Sequence, residues 1–111
     1  LRPSPRSDFS RPITALGTEP FWAVRIDGAR LTLSRPDQPA VEATAPGAAI
    51  SSGQAAWAAR TPEGQTLSVI LKAGDCSDGM SDRRYPMTAE AVVAGETLRG
   101  CAIATADMRP E

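Results

Sequence analysis

The chain has 111 residues, 41% of them hydrophobic, which is enough for one domain with one core and too few for two. Its formal net charge of −1 gives no basic footprint for nucleic acid, and no apolar run approaches the ~20 residues that span a bilayer. We therefore predict a single domain with no nucleic-acid partner and no transmembrane segment.

The first twelve residues differ in composition from the rest. Positions 1–12 hold three prolines, three arginines and three serines, a mixture that forms no packed element. We expect a flexible N-terminal tether over 1–12, followed by a single β domain over 13–111. Such a tether would follow a removed leader or a lipid anchor upstream of Leu1, although a simple frayed end has the same composition.

The first half of the domain shows short strand signals. Phe21 to Ile26 alternates, so every second residue faces the core. Asp27-Gly28 predicts a hairpin, because both central residues of a type I′ turn need a positive φ. Leu31 and Leu33 share a face on the returning strand, which we expect Pro36 to Pro39 to end. Val41 to Ala45 is a weaker candidate strand.

The second half shows clearer alternation and stronger turns. The predicted elements are a strand over Gln54 to Arg60, a turn at 61–64, a strand over Gln65 to Lys72, a long loop from Ala73 to Pro86, and a hairpin over Met87 to Ala104 that turns at 94–96.

Short strands with turn signals every eight to twelve residues are typical of sandwiches and barrels. Helical propensity is confined to Ala55 to Ala59, which is too short for a stable helix between Gly53 and Pro62. We predict an all-β fold, a small antiparallel barrel or sandwich of about six to eight short strands.

Cys76 and Cys101 are the only two cysteines, and the chain has no histidine and no C-x-x-C pair. Zinc and thioredoxin-like chemistry are therefore disfavoured, and we expect no metal and no cofactor. A bridge between the two would close a loop of about 26 residues and stabilise the domain by roughly 3.5 kcal/mol. We predict this disulfide, which indicates an oxidising compartment. Two free buried thiols are the alternative.

The segment 76–86, CSDGMSDRRYP, concentrates charged and aromatic groups next to one cysteine. Arginine and tyrosine are enriched at binding hot spots, and a disulfide at the base would hold such a segment in place. We predict a binding surface that combines this segment with the start of the first strand, formed by Glu19, Trp22, Asp78, Asp82, Arg83, Arg84 and Tyr85.

Structural roles compete with this prediction. An arginine of the segment could be held in an ion pair with Asp78 or Asp82, and Tyr85 could be buried against the barrel end. Phe21 and Trp22 are adjacent on a strand and must point to opposite sides. One of them enters the core, so the other covers a barrel mouth or faces a partner.

Catalytic and metal sites are poorly supported. Asp75, Asp78 and Asp82 suggest calcium, but their spacing is not that of an EF-hand loop. Carboxylate pairs for glycoside hydrolysis can be drawn, yet few aromatics are present to stack on a sugar. Without histidine, a serine or cysteine nucleophile lacks its usual base. We predict that the protein is not an enzyme.

Three sequence blocks are distinctive: GTEPFW at 17–22, CSDGMSDRRYP at 76–86 and LRGCA at 98–102. Together they resemble a family of small bacterial envelope proteins of unknown function. Many members are lipoproteins, and some are joined to META-type or membrane-bound C-type lysozyme inhibitor domains. The resemblance spans residues 14–104. It implies an exported β-rich domain in the periplasm or anchored to the outer membrane.

We therefore expect a noncatalytic binding module whose partner is an envelope protein or cell-wall component. One alternative is a lysozyme-inhibitor-like protein, although the chain has no second cysteine pair and no inhibitor motif of its own. The other alternative is a structural module of an envelope assembly.

Overall fold

The computed structural model describes residues 12–18, 21–36, 38–51, 53–77 and 84–105. Within these ranges it contains nine strands. They are β1 (Ile13–Thr18), β2 (Phe21–Asp27), β3 (Arg30–Arg35), β4 (Gln38–Thr44), β5 (Ala49–Ser51), β6 (Gln54–Arg60), β7 (Thr66–Ser77), β8 (Arg84–Val93) and β9 (Glu96–Ala104).

Eight of the strands form a closed antiparallel barrel. The order around it is β4-β3-β2-β1-β9-β8-β7-β6, and a pairing between β4 and β6 closes the ring, with β5 added along β6. Every neighbouring pair is antiparallel. The predicted all-β fold is confirmed, and of the two architectures the barrel is the correct one.

Buried and exposed side chains alternate along several strands, and the buried ones fill the barrel interior. On β2, Trp22, Val24 and Ile26 point inward while Phe21 and Arg25 are exposed. The predicted alternation is confirmed, and of the two adjacent aromatic residues Trp22 is the one that enters the core. The same alternation governs β7 up to Leu71 and β8 from Met87. The largest fully buried side chains are Trp22, Ile13, Ile26, Leu31, Leu33, Leu67, Leu71, Met87, Leu98, Val24, Val69 and Val93. Burial of this apolar surface is the main stabilising contribution.

The seam that closes the barrel is short. Strand β4 meets β6 at a single register pair, Thr44 with Arg60. After Pro46-Gly47, β5 continues along the same edge of β6, with Ala49 opposite Ala56. Strands β4 and β5 thus pair with β6 like one strand that is interrupted at Pro46-Gly47. The interruption occurs there because proline cannot donate to a regular ladder.

Two hairpin turns differ in their backbone. Between β2 and β3 the loop residues are Gly28 and Ala29, and only Gly28 has a positive φ, of 64°. The hairpin is confirmed, but its loop is one residue later than predicted and is not type I′. Between β8 and β9, Ala94 and Gly95 both have positive φ, of 53° and 80°, which is the type I′ pattern.

The predicted long loop from Ala73 to Pro86 is wrong. Strand β7 continues to Ser77 and β8 already begins at Arg84, so only 78–83 separate the two strands, and these lie outside the described residues. The register shifts between Ala73 and Cys76, where two residues of β7 face one residue of β8, Pro86. This bulge explains the error, because it lets a ladder continue past a proline that cannot donate a hydrogen bond.

Other strands also begin or end at residues that differ from the prediction. Strand β3 ends at Arg35, as predicted from the Pro36 to Pro39 stretch, but β4 begins at Gln38 and already includes Pro39. Proline is tolerated there because most of β4 pairs on one side only, with β3. The sequence reasoning missed β1 and the three-residue β5. The predicted tether over 1–12 lies outside the described residues except for Pro12.

Replacement of Ala94 by asparagine should stabilise the protein. Alanine at a positive φ costs about 1–2 kcal/mol, and asparagine tolerates this region better. We expect Ala94→Asn to raise the free energy of unfolding in urea by about 1 kcal/mol. The matched control is Ala29→Asn in the other hairpin, where φ is not positive. An equal gain in both variants would mean that the left-handed backbone at Ala94 is not the cause.

Candidate functional site

The predicted binding residues divide into two groups. Trp22 is completely buried and Tyr85 is 5% exposed, so neither offers its side chain to a partner at the surface. The aromatic side chain that β2 exposes is instead Phe21, at 55%. The prediction that Tyr85 could be buried is confirmed. The other predicted residues, namely Glu19, Asp78, Asp82, Arg83 and the side chain of Arg84, lie outside the described residues.

The register pairing of β1 with β9 ends where two glycines follow on the facing strands. Their register pairing runs from Ile13 with Ala104 to Leu16 with Cys101 and stops there. Beyond this point come Gly17 on β1 and Gly100 on β9. A Cβ on Gly100 would collide with the carbonyl oxygen of Leu16, so the two backbones approach closely only because this residue is glycine.

The indole of Trp22 lies beside Gly17 of β1 and the Arg99 carbonyl of β9. Its Nε1–H donates a hydrogen bond of 3.3 Å to the carbonyl oxygen of Arg99, which satisfies the one polar atom of a buried tryptophan. A Cβ on Gly17, the register partner of Trp22, would overlap Nε1 and lie 2.6 Å from the Arg99 oxygen. Gly17 and Trp22 are the first and last residues of GTEPFW. With the indole in this position, no side chain larger than that of glycine fits at residue 17.

A second contact, between β3 and β9, lies at the same end of the barrel. The Arg35 Nη1 lies 3.4 Å from the Glu96 Oε1, joining the end of β3 to the beginning of β9. Arg35 is mostly buried, with 16% of its side chain exposed, whereas the Glu96 side chain is 53% exposed. A pair with one exposed partner contributes at most about 1 kcal/mol. The packing of Trp22 therefore dominates at this end.

The predicted disulfide is confirmed. Cys76 on β7 is bonded to Cys101 on β9, with 5.7 Å between the Cα atoms. Both strands pair with β8 and not with each other in the sheet, so the bond joins two strands that no ladder connects. The Cys76 Sγ also lies 3.4 Å from the carbonyl oxygen of Gly100, a contact and not a hydrogen bond because a disulfide sulfur carries no proton. The cross-strand partner of Cys76 is the buried Tyr85.

The three distinctive sequence blocks therefore meet. GTEPFW supplies Gly17 and Trp22, LRGCA supplies the Arg99 carbonyl, Gly100 and Cys101, and the third block supplies Cys76 and Tyr85. Sequence reasoning missed the role of the two glycines. The signal was available, since a glycine inside a strand often marks a close backbone approach.

The β7–β8 tip, defined here as residues 77–84, is the segment of the sequence between these two anchored strand ends. The disulfide fixes the strand immediately before it, and Tyr85 is buried immediately after it. Between these anchors the sequence places Asp78, Asp82 and Arg83. Both ends of the charged segment are thus attached to the barrel.

Among the described residues, no group of three or more histidine, cysteine, aspartate or glutamate side chains could hold a metal ion. In the same ranges, no helix has the length and hydropathy of a membrane span. No family model, no curated protein and no solved structure matches the chain.

Substitution of Gly17 by alanine should strongly destabilise the protein. The added Cβ would overlap the Trp22 indole and crowd the Arg99 carbonyl. Overpacking of this kind costs about 1–3 kcal/mol, and loss of the hydrogen bond would add to it. We expect Gly17→Ala to lower the free energy of unfolding by about 3 kcal/mol in chemical denaturation.

A double-mutant cycle tests whether the indole contact causes the loss of stability in Gly17→Ala. In a Trp22→Phe background the ring has no Nε1, so the cost of Gly17→Ala should fall by at least about 1 kcal/mol. Strictly additive costs would contradict the proposed role of the indole.

Loss of the disulfide should destabilise the domain through the unfolded state. The cysteines are 25 residues apart, which corresponds to about 3.5 kcal/mol by the chain-entropy relation. We expect this loss in Cys76→Ala/Cys101→Ala and in the reduced native chain, measured by urea denaturation. Reductant should leave the double variant unchanged. A further loss there would show that reductant acts on something other than this bond.

Proposed function

We propose that the protein is a noncatalytic binding module of the bacterial cell envelope and that the β7–β8 tip is its recognition surface. The observation that supports this most directly is the anchoring of the tip by Cys76–Cys101 on one side and by buried Tyr85 on the other. Restriction of a charged segment before it meets a partner reduces the conformational entropy lost on binding.

The chemistry of the tip favours a polar partner. Asp78, Asp82, Arg83 and Arg84 supply charges of both signs within seven residues. Charges of both signs give orientation and specificity more than affinity. Such a surface suits a folded envelope protein or a cell-wall polymer that carries both amino and carboxyl groups.

An envelope location is proposed on two grounds. The disulfide would persist in an oxidising compartment and would be reduced in a cytosol kept reducing by glutathione and thioredoxin. The three sequence blocks resemble those of exported and lipid-anchored bacterial proteins. We propose the periplasm or the periplasmic side of the outer membrane.

The test uses the full oxidised chain, immobilised and exposed separately to isolated cell walls, to a C-type lysozyme and to a solubilised envelope fraction. We expect saturable binding to one of these, and Asp82→Asn/Arg83→Gln should weaken it by at least about tenfold, as removal of two charged contacts would. Arg25→Gln, an exposed arginine on β2, is the matched control and should bind like the native chain.

Each outcome decides between the alternatives. Binding to lysozyme with inhibition of wall lysis would identify the partner and favour the inhibitor-like role. Absence of binding to all three samples would contradict the proposal. Loss of thermal stability in the tip variant, with unchanged binding, would assign the tip a purely structural role.

A further inference from the structure

A row of outward-facing side chains crosses the seam of the barrel. Arg30 on β3 is the register partner of Thr44 on β4, and Thr44 is in turn the register partner of Arg60 on β6. All three are exposed, while the adjacent residues Leu31 and Ala43 face the core. Two pairing steps of about 5 Å place the arginine Cα atoms about 10 Å apart.

Both guanidinium groups are unpaired within the described part of the chain. The ion pairs there involve other arginines, Arg35 with Glu96 and Arg99 with Glu90. Neither Arg30 nor Arg60 makes a side-chain hydrogen bond or an ion pair with a described residue. Two like charges thus flank Thr44, and one of them, Arg60, belongs to the residue pair that joins β4 to β6.

A groove lies between the two arginines. Its volume is about 400 Å³, large enough for a small ligand. The residues that line it are Arg30, Glu42, Ala43, Thr44, Arg60, Thr61 and Pro62. The Thr61 hydroxyl already accepts a hydrogen bond from the Gln65 backbone N–H, at 3.0 Å, and this fixes the wall of the groove at the β6–β7 turn.

The donor set fits a tetrahedral oxyanion. Two guanidinium forks and the Thr44 hydroxyl can donate to different oxygens of one phosphate group, and arginine binds phosphate in a bidentate manner. Two acidic side chains lie nearby. Glu42 lines the groove, and Asp27 lies across from Arg30 on the side away from Thr44. Glu42 would repel a bare anion and accept a hydrogen bond from a hydroxyl group of a phosphate ester.

We propose that the groove formed by Arg30, Thr44 and Arg60 binds the phosphate group of an ester that also carries hydroxyl groups. The ester is either a small soluble molecule or a lipid headgroup. Binding would neutralise the repulsion across the seam and connect β4 to β6 beyond their single register pair.

This site is separate from the β7–β8 tip. Arg60 faces Thr66, the first residue of β7, whereas the tip begins at Ser77, the last residue of the same strand. At about 3.3 Å per residue, these two ends of β7 are roughly 36 Å apart along the strand. Loss of phosphate binding would therefore leave the proposed function of the tip untouched.

The experiment titrates the full chain with glycerol 1-phosphate and with inorganic phosphate at constant ionic strength, by calorimetry and by amide chemical shifts. We expect glycerol 1-phosphate to bind with shifts centred on Arg30, Thr44 and Arg60. Arg30→Gln and Arg60→Gln should each weaken binding by at least about tenfold, the effect of one charge-assisted hydrogen bond. Both substituted residues are exposed, and unchanged midpoints of thermal unfolding would confirm that the variants fold.

Two further variants make the test specific. Arg25→Gln removes the same charge from the exposed face of β2 and should bind glycerol 1-phosphate like the native chain. Glu42→Gln should strengthen binding of inorganic phosphate by about threefold and reduce the preference for the ester, because one repulsive charge and one acceptor are lost.

Vesicles distinguish the source of the phosphate. Binding to phosphatidic acid vesicles, but not to phosphatidylcholine vesicles, that depends on Arg60 would assign a lipid headgroup. Binding of glycerol 1-phosphate alone would assign a soluble ester. The proposal is overturned if neither probe binds above a chloride control, or if Arg25→Gln weakens binding as much as Arg60→Gln does.

Discussion

The close packing at the β1–β9 junction, of Trp22 against Gly17 and of Gly100 against the Leu16 backbone, is the constraint on which the anchored end of this barrel depends. Where the register pairing of β1 with β9 ends, the Trp22 indole lies against Gly17 and donates to the Arg99 carbonyl. Gly100 approaches the Leu16 backbone more closely than any side chain would allow. Because Cys101 follows Gly100, the same approach positions the sulfur that bonds Cys76. The anchored β7–β8 tip therefore depends on a packing arrangement two strands away from it.

Sequence patterns were most informative where burial alternates regularly. The two-residue periods at Trp22 to Ile26 and Leu67 to Leu71 identified the residues that share a face, since one side of each strand fills the barrel. They failed where neighbouring strands override local preference. Gly74 and Pro86 read as a loop, yet a bulge carries the ladder past them. Pro39 read as a terminator, yet a strand that pairs mainly on one side accommodates it.

The candidate sites could be predicted only in part. The disulfide followed from the cysteine count, and its anchoring role follows from Tyr85 being buried beside it. Trp22 was predicted to belong to the binding surface but is buried, and whether it or Phe21 entered the core depended on the register with β1. The Arg30–Thr44–Arg60 row was invisible in the sequence, because these residues become neighbours only when the barrel closes.

Pro39 has a consequence for association between copies of the chain. Most of β4 pairs only with β3 among the described strands, so its other side presents an open edge on which a second molecule could add a strand. Proline and charged side chains on an edge strand both disfavour such pairing, and β4 carries Pro39 and Glu42. The residue that misled the reading of the sequence thus makes this edge a poor template for a second chain.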